Sequence, residues 1–310
     1  MQTVLLQSVL LFVLLMVPGL LLGRSGLMQK NALPTLTNIL LYAAMPSLVF
    51  QALCRLDPST VDVGALLLVA AVPVVFETLW ILLTALFAKE KSVVRFCSVF
   101  SNCGFLGVPL ASVMFPDAPE VTVMVSVFNV FSSMMLWTAG VFLLSKDRRA
   151  IAPRRALLNP LSFALVLGAI CMYSGLGTQL SFLVDYAGYL AGLTTPLAML
   201  VLGFEFSALS LKKQSILWKD LLLTCAIKLA AFPLSISAML YLLKLAGVAV
   251  SYELFAALFL ASAVSTAVTA PALAEKYGAD AESASILTLA TTLGCVVTLP
   301  CLFSLLHPLF

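Results

Sequence analysis

The sequence predicts an all-α integral membrane protein with ten transmembrane helices, arranged as two inverted five-helix repeats in which helices 4 and 9 are broken and cross. Composition is the first of three observations behind this prediction. The 310-residue chain is 62% hydrophobic and only 10% charged, with a mean hydropathy of +1.11. A soluble domain carries about 25% charged residues. The surface of this chain therefore has to face lipid rather than water.

Ten apolar spans follow one another along the chain, each close to the roughly 20 residues that a helix needs to cross a bilayer. The first has no basic residue ahead of it and exceeds the apolar core of a signal peptide, so we expect it to be a retained helix. The spans cover approximately residues 4–23, 32–53, 64–87, 93–115, 120–144, 160–176, 180–206, 220–243, 254–275 and 284–306.

The second observation is the uneven distribution of positive charge. Of the 17 Lys and Arg residues, two (Arg55 and Lys244) lie in connections after even-numbered spans, and Lys228 lies within a span. The other fourteen lie in connections after odd-numbered spans: Arg24, Lys30, Lys89, Lys91, Arg95, Lys146, Arg148, Arg149, Arg154, Arg155, Lys212, Lys213, Lys219 and Lys276. The positive-inside rule places these connections in the cytoplasm and both termini outside the cell (inner) membrane. The net charge of +3 thus reports topology and does not indicate a nucleic-acid partner.

The third observation is an internal repeat. The segment "VPLASVMFPDAPE" (108–120) aligns without gaps to "APALAEKYGADAE" (270–282), which matches Pro109 with Pro271. An earlier pair of segments matches Pro46 with Pro196. The predicted organisation is a first repeat at 1–145, a basic cytoplasmic linker at 146–159 and a second repeat at 160–310. Because each repeat has five spans, the second enters the membrane inverted, as in many secondary transporters.

Glycine and proline interrupt the fourth span within "GFLGVPLASVMFP" (104–116). We expect unwinding around Asn102–Pro109 in the fourth span and around Ser265–Pro271 in the ninth, because broken backbone at membrane depth is tolerated where it lines a cavity. Crossed breaks would direct free N–H groups and positive helix ends at one place, which suits an anion. The candidate hydrogen-bonding residues there are Ser101, Asn102, Ser265, Thr266 and Thr269. Ordinary proline kinks with small packing residues are the alternative.

Glu77 and Lys228 are ionisable residues predicted at membrane depth, where a charge costs roughly 2.5 kcal/mol or more and is usually functional. Counted from Pro46 and Pro196, they hold near-equivalent places in the two repeats. We expect Lys228 to compensate the C-terminal dipoles of half-helices or to hold a substrate carboxylate, and Glu77 to serve in proton or charge coupling. The alternatives are a snorkelling lysine and a structural hydrogen bond to Glu77.

Several motifs resemble the auxin efflux carrier family of membrane transporters, over essentially the whole chain. They are "NILLYAAMPSLVF" (38–50), "FSNCGFLGVPL" (100–110), "LAGLTTPLAMLVLGFEFS" (190–207), "IKLAAFPL" (227–234) and "ASAVSTAVTAPALAEKYGAD" (261–280). The resemblance implies a scaffold part (spans 1, 2, 6 and 7), a transport part (spans 3–5 and 8–10) and often a homodimer. It places the family's crossing motif on Asn102, Gly104, Gly107, Pro109 and Pro271, and its eighth-span basic residue on Lys228. The short linker resembles the prokaryotic branch, described as permeases for malate, malonate and similar acids.

The leading function hypothesis is a secondary active transporter, a permease or efflux carrier of small organic anions such as dicarboxylates, with alternating access by an elevator-like motion. A sodium-coupled symporter of the bile-acid type is an alternative, disfavoured because the ninth-span crossing offers Ser and Thr but no carboxylate to a hard cation. A passive channel or sensor is another.

The sequence argues against an enzyme, since the single histidine is His307 and no metal, nucleophile or Walker A motif appears. We therefore expect no catalytic residue, no cofactor and no metal site. The seven cysteines show no metal or redox spacing and are expected to be small core residues. The expected partners are the lipid bilayer and a small organic anion.

Overall fold

The computed structural model describes residues 2–29, 31–58, 62–145, 159–208 and 217–310. All but one residue of the predicted linker at 146–159 lies outside these ranges, as do Lys30, Lys212 and Lys213 of the predicted basic connections. Within the ranges, the regular structure is helical, and the one β-type pairing is an isolated bridge between Ser101 and Thr266.

Twelve helices, numbered along the chain, make up most of the described residues. They are α1 (Gln2–Arg24), α2 (Ala32–Cys54), α3 (Val63–Ala88), α4 (Ser92–Val99), α5 (Cys103–Met114), α6 (Pro119–Ser145), α7 (Pro160–Ser174), α8 (Ser181–Ser207), α9 (Trp218–Leu245), α10 (Tyr252–Ala263), α11 (Ala270–Lys276) and α12 (Ala281–Leu306). Single turns at Leu176–Gln179 and His307–Leu309 complete the regular structure.

The helices have the lengths and composition of a multi-pass membrane protein. Helices α2, α3, α6, α8, α9 and α12 are long and apolar enough to cross a bilayer, while α1, α5, α7 and α10 supply shorter apolar segments. Their ends lie within a few residues of the predicted span boundaries. The fourth and ninth predicted spans are each divided in two, into α4 and α5 and into α10 and α11.

The break in the fourth span is shorter than predicted. Only Phe100–Asn102 leaves the helix, because Cys103–Gly107 forms a wide helical turn and Pro109 lies in the helix that continues from it. The expectation that the backbone unwinds as far as Pro109 was therefore wrong. A wide turn just before a proline removes its clash with the carbonyl four residues back, so the helix keeps its path. In the ninth span the break covers Val264–Thr269, and Pro271 lies in the first turn of α11.

The same local solution recurs at two further prolines. Pro46 and Pro233 each come two residues after a wide turn, at Leu40–Ala44 and Ile227–Ala231. The wide turn in α9 carries Lys228, so this turn sets where the lysine leaves the helix.

Helices α1 and α8 meet through glycines. A Cβ atom added to Gly19 would lie 2.0 Å from the carbonyl oxygen of Leu200, and one added to Gly203 would lie 2.0 Å from that of Met16. The two backbones therefore touch directly, as at other small-residue interfaces between membrane helices. Any larger residue at Gly19 or Gly203 would push the helices apart.

Helix α10 lies at the centre of the molecule. Every residue from Leu254 to Ala263 is buried, with α6, α9 and α12 among the surrounding helices. Helix α2 packs against α7 and the first half of α8. Val264–Val268 of the break after α10 are buried as well, so their backbone groups do not have to face lipid.

Candidate functional site

The two broken segments cross and pair through their backbones. Asn102 N donates to Ser265 O at 2.8 Å, and Ala267 N donates to Phe100 O at 2.9 Å. Ser101 and Thr266 face each other in this short antiparallel bridge. The pairing gives each break hydrogen bonds that a helix would otherwise supply, so both segments can remain extended inside the protein.

Thr266 anchors the bridge to the helices around it. Its hydroxyl donates to the carbonyl oxygen of Cys97, in the last turn of α4, and its backbone N–H donates to Thr291 Oγ1 at 3.2 Å. The last carbonyls of a helix lack partners within the helix, so this side chain caps α4. Thr266 thus has a structural role at the crossing.

Lys228 connects the two broken segments. Its side chain is fully buried, and its ammonium donates to Ser101 Oγ at 2.6 Å and to the carbonyl oxygen of Ser262 at 2.8 Å. Ser262 lies in the last turn of α10, where the helix dipole is negative. The ammonium also lies 4.7 Å from the centre of the Phe232 ring. These contacts place the ammonium at the C-terminal end of α10 and against the first broken segment.

Glu77 lies fully buried on α3, beside α6. Its Oε1 accepts a hydrogen bond from Ser132 Oγ, and its Oε2 has no hydrogen-bond partner. Lys228 is likewise fully buried, and the two opposite charges lie close enough to influence each other. The pair forms an ionisable centre behind the crossing.

A cavity of about 320 Å³ opens beside the crossing, between α2, α6 and the start of α7. We call it the crossing cavity. It is lined by Leu41, Tyr42, Met45, Ser101, Asn102, Gly104, Phe105, Asn129, Ser133, Leu136, Trp137, Asn159, Pro160, Leu161, Ala267, Val268 and Thr269. All of these lining residues are uncharged.

The crossing cavity brings together only some of the predicted site residues. Four of them line it, namely Ser101, Asn102, Gly104 and Thr269. The others lie behind its wall or in the flanking helices: Gly107, Pro109, Ser265, Thr266, Pro271, Lys228 and Glu77. Gly107 illustrates the difference, since a Cβ added there would lie 3.2 Å from Cys103 Sγ and 3.5 Å from Val125 Cγ1, so this position is packed against protein.

Helix α6 contributes site residues that the sequence reasoning missed. Asn129, Ser133 and Trp137 follow one another at four-residue intervals and therefore share the face of α6 that lines the cavity. Asn129 lies opposite Gly104, where an added Cβ would come within 3.3 Å of Asn129 Oδ1. An asparagine and a serine at helical spacing inside an apolar span were the available sequence signal.

Hydrogen-bond donors converge on the crossing end of the cavity. The first intrahelical bond of α5 runs from Leu106 N to Asn102 O, so the N–H groups of Cys103, Gly104 and Phe105 precede it. Asn102 also borders this end, although its Nδ2 is buried away from the open space of the cavity and has no hydrogen-bond partner. Ser101 Oγ accepts from the Lys228 ammonium, which leaves its own proton to donate elsewhere. The N-terminus of α5 and the Ser101 hydroxyl can thus favour a negatively charged group, although the described lining of the cavity has no charged side chain.

A second cavity, of about 300 Å³, lies at the other end of the same group of helices. It is bordered by α2, α6, α7 and the starts of α3 and α10, and its lining includes the acidic residues Asp62, Glu120 and Glu253. We call it the acidic cavity. Its described lining includes no Lys or Arg. The two cavities therefore differ in charge although α2, α6 and α7 border both.

Comparison with known families identifies the kind of molecule that carries this site. A family model described as "Membrane transport protein" matches residues 4–303. The chain belongs to this family, that of the auxin efflux carriers. The match covers nearly the whole chain, including the crossing and both cavities. This member of the auxin efflux carrier family is a transport protein rather than an enzyme.

Two archaeal relatives of this carrier are described as uncharacterized transporters. One, from Methanothermobacter thermautotrophicus, is 27% identical over 303 residues, covering 95% of this chain and 96% of the relative. The other, from Methanocaldococcus jannaschii, is 27% identical over 219 residues, covering 66% of this chain and 70% of the relative. Their descriptions support membrane transport and name no substrate.

Proposed function

We propose that this carrier is a secondary active transporter of small organic anions such as dicarboxylates, working by alternating access in the cell (inner) membrane. The observation that carries the proposal is the meeting of the N-terminus of α5 with Ser101 at one end of the crossing cavity. An anion would be favoured at that end by the helix dipole and by the N–H groups that lack partners within the helix.

The positive charge of Lys228 affects the cavity through Ser101, which accepts a hydrogen bond from the ammonium and borders the cavity. An ammonium has three protons and no acceptor, so the hydroxyl that it contacts must act as the acceptor. The serine proton then has to point away from Lys228, and Ser101 borders the cavity. A substrate carboxylate would accept this proton in a bond strengthened by the neighbouring positive charge.

The size of the crossing cavity favours a small substrate. Pockets that bind small molecules span roughly 300 to 1,000 Å³, and this one lies at the lower end of that range. Its apolar wall of Leu41, Met45 and Leu136 would pack against the carbon skeleton of an acid. A dicarboxylate of four or fewer carbons fits both the volume and the donors.

The packing of the helices supports an elevator-like motion within an inverted-repeat architecture. Helices α1, α2, α7 and α8 pack mainly on one another, while α3 to α6 and α9 to α12 surround the crossing. These groups correspond to the scaffold and transport parts. The two cavities lie along the boundary between the groups, at opposite ends. Under the positive-inside assignment, the crossing cavity opens to the cytoplasm and the acidic cavity faces outside.

The position of Lys228 weighs against the sodium-coupled alternative. A hard cation at the crossing would need several oxygen ligands around it. The Lys228 ammonium already contacts Ser101 Oγ and the carbonyl oxygen of Ser262 there. The protein thus supplies its own fixed cation where a sodium ion would otherwise be needed.

The test is counterflow in liposomes that contain the purified carrier. Vesicles loaded with malate or malonate should accumulate the labelled acid with saturable kinetics, in the absence of sodium. Absence of counterflow with every small acid would overturn the substrate class. Strict dependence on sodium would favour the symporter, and non-saturable flux would favour a channel.

A charge reversal tests the anion directly. Asn102→Asp keeps the side-chain shape but adds a carboxylate at the donor end of the cavity. Repulsion between charges about 4 Å apart is worth roughly 4 kcal/mol near a protein surface, so we expect counterflow to fall at least about 100-fold. Asn159→Asp is the matched control, because Asn159 borders the cavity but uses its side-chain oxygen to cap α7, as aspartate would. Equal effects of the two changes would contradict a binding role for Asn102.

A further inference from the structure

We propose that Trp137 of α6 is a specificity-determining residue of the crossing cavity, where it limits the length of the organic acid that the cavity accepts. The inference rests on the proposed function, because it assigns to one residue the choice among small organic anions. It starts from a feature of α6 that no proline explains, a wide helical turn at Leu136–Gly140.

The wide turn in α6 differs from the other wide turns of the described helices. Each of those is followed two residues later by a proline, namely Pro46, Pro109 or Pro233, whose clash with the preceding turn it removes. The single proline of α6 is Pro119, at its first residue and far before the wide turn. Wide turns inside α-helices are frequent at functional sites, so this one has to be examined for what it places in the cavity.

Contacts on both sides of Trp137 fix the position of this turn. The Thr138 hydroxyl donates to the carbonyl oxygen four residues earlier at 2.6 Å, which satisfies an acceptor next to the turn. A Cβ added to Gly140 would lie 2.9 Å from the rings of Phe96 and Phe100, whose centroids are 4.8 Å apart. Helix α6 therefore packs closely on α4 and the first broken segment directly after Trp137, and the tryptophan has a defined place.

Trp137 lines the crossing cavity toward its open end. The donor end is closed, since Ser101 and Asn102 are buried, whereas Trp137 is half-buried and Tyr42, on the α2 side of the cavity, is largely exposed. At about 1.5 Å per residue, Trp137 lies roughly 6 Å beyond Ser133 along α6. Under the positive-inside assignment, the cavity opens on the side of the membrane where α6 ends. The indole thus stands between the donors and the opening.

The place of the indole sets the length of acid that fits. A substrate with one carboxylate at the donor end extends its carbon skeleton along the cavity toward Trp137. An aromatic side chain offers roughly 150 to 250 Å² of rigid, mostly apolar surface, which is a large share of the wall of a cavity of only about 320 Å³. Short acids fit between the donors and the ring, whereas longer acids meet the ring before their carboxylate reaches the donors.

The test is competition against counterflow of labelled malonate, by succinate and by the longer dicarboxylate adipate. The readout is the ratio of the two inhibition constants, since a ratio does not depend on the amount of active protein. We expect Trp137→Ala to shift this ratio toward adipate by about 10-fold or more, the usual effect of a change in pocket length by one methylene or more. Trp137→Phe keeps a smaller ring and should shift the ratio in the same direction by less, which also covers a failure of the alanine variant to fold.

A second tryptophan provides the matched control. Trp218 is exposed at the start of α9 and does not line the crossing cavity, so Trp218→Ala should keep the ratio of the unaltered carrier. An unchanged ratio in both Trp137 variants would overturn the proposal. An equal shift in Trp218→Ala would overturn it too, because the effect would then not come from the cavity.

A measurement without transport separates this inference from the proposed function. Acrylamide, a small water-soluble quencher, should reduce the tryptophan fluorescence of the purified carrier, and Trp137→Phe should remove a part of this quenching that Trp218→Phe leaves. Identical quenching of the unaltered carrier and Trp137→Phe would place the indole away from the open cavity and overturn the proposal, whatever the substrate. If Trp137 is quenched but the unaltered carrier shows no counterflow of any acid, the proposed substrate class is wrong and the position of Trp137 in the cavity is confirmed.

Discussion

The two broken segments have similar backbones but different surroundings. Ser101 and Asn102, on the segment between α4 and α5, border the crossing cavity, whereas Ser265 and Thr266, between α10 and α11, are fully buried behind it. Thr266 is held by Cys97 and Thr291, while Ser265 Oγ has no hydrogen-bond partner. The first segment thus borders the cavity through its polar residues, whereas the second borders it through Ala267, Val268 and Thr269 and keeps Ser265 and Thr266 behind the wall. Two segments that pair through their backbones thus place their polar side chains in different surroundings.

The largest expected effect comes from removing the residue that connects both segments. Lys228→Ala would leave Ser101 Oγ and the carbonyl oxygen of Ser262 without their donor and would open a cavity in the core. A hydrogen bond to a charged group is worth roughly 1.5 to 3 kcal/mol, so losing two should lower counterflow by at least about 100-fold. The measurement is the initial rate in liposomes at equal protein density.

A lysine on the same helix provides the control for Lys228→Ala. Lys244 is exposed near the end of α9 and donates to the carbonyl oxygens of Leu309 and Phe310, away from the crossing. We expect Lys244→Ala to retain most of the rate. Near-normal transport by Lys228→Ala would contradict its role in holding the crossing.

A pair of serines tests the difference between the segments most directly. Ser101→Ala removes the hydroxyl that borders the cavity and accepts from Lys228, so we expect substrate affinity to fall about 10-fold. Ser265→Ala removes a buried hydroxyl that makes no hydrogen bond, so the expected change is under about threefold. Apparent Km values from counterflow give the comparison. Equal losses in the two variants would show that both segments bind substrate.

The sequence predicted the crossing better than it predicted which residues line the cavity. The length of an apolar run, the distribution of charge and the positions of prolines can all be taken directly from the sequence. The spans and the presence of two breaks could therefore be predicted. The breaks lie at Phe100–Asn102 and Val264–Thr269, so the first precedes most of the predicted Asn102–Pro109 and the second largely coincides with the predicted Ser265–Pro271. Tertiary packing decides which residues of each segment line the cavity. Motif matching selected all residues of a motif and could not separate those that line the cavity from those that do not.

Two polar residues that line the cavity were not predicted from the sequence. Asn129 and Ser133 lie on α6, outside the repeated motifs, so the repeat analysis did not select them. The same reasoning overvalued Gly107 and Pro109, because glycine and proline indicate interrupted helices without indicating ligand contact. Gly107 lies against Cys103 and Val125, which is a packing role. A search for polar residues at four-residue spacing within each span would have selected the correct face of α6.

Substitution of Glu77, which lies near Lys228, should have a smaller effect on transport that is limited to its response to pH. Glu77 Oε1 accepts a hydrogen bond from Ser132, and its Oε2 is unpaired. Glutamine in its place keeps the shape and an acceptor for Ser132 but cannot exchange a proton. If Glu77 couples transport to protons, Glu77→Gln should lose the several-fold stimulation by a pH gradient and retain counterflow at equal pH. Uptake with and without the gradient measures this.

Glu205 supplies the control for Glu77→Gln. It is a partly buried carboxylate on α8, in the group of helices away from the crossing. We expect Glu205→Gln to keep its response to the pH gradient. A gradient response that survives in Glu77→Gln would remove this residue from the coupling hypothesis, and loss in both variants would indicate a general effect of buried charge.

The smallest effect is expected at the proline that first drew attention to the fourth span. Pro109 lies within α5, after the wide turn, whereas the break at Phe100–Asn102 is held open by the two backbone bonds to Ser265 and Ala267. Alanine at position 109 can add one intrahelical hydrogen bond but cannot replace those bonds, so the break should persist. Counterflow by Pro109→Ala should therefore stay within about twofold of the unaltered carrier, a change worth less than roughly 0.5 kcal/mol. A much slower rate would show that the proline itself, rather than the pairing of the two segments, keeps the helix broken.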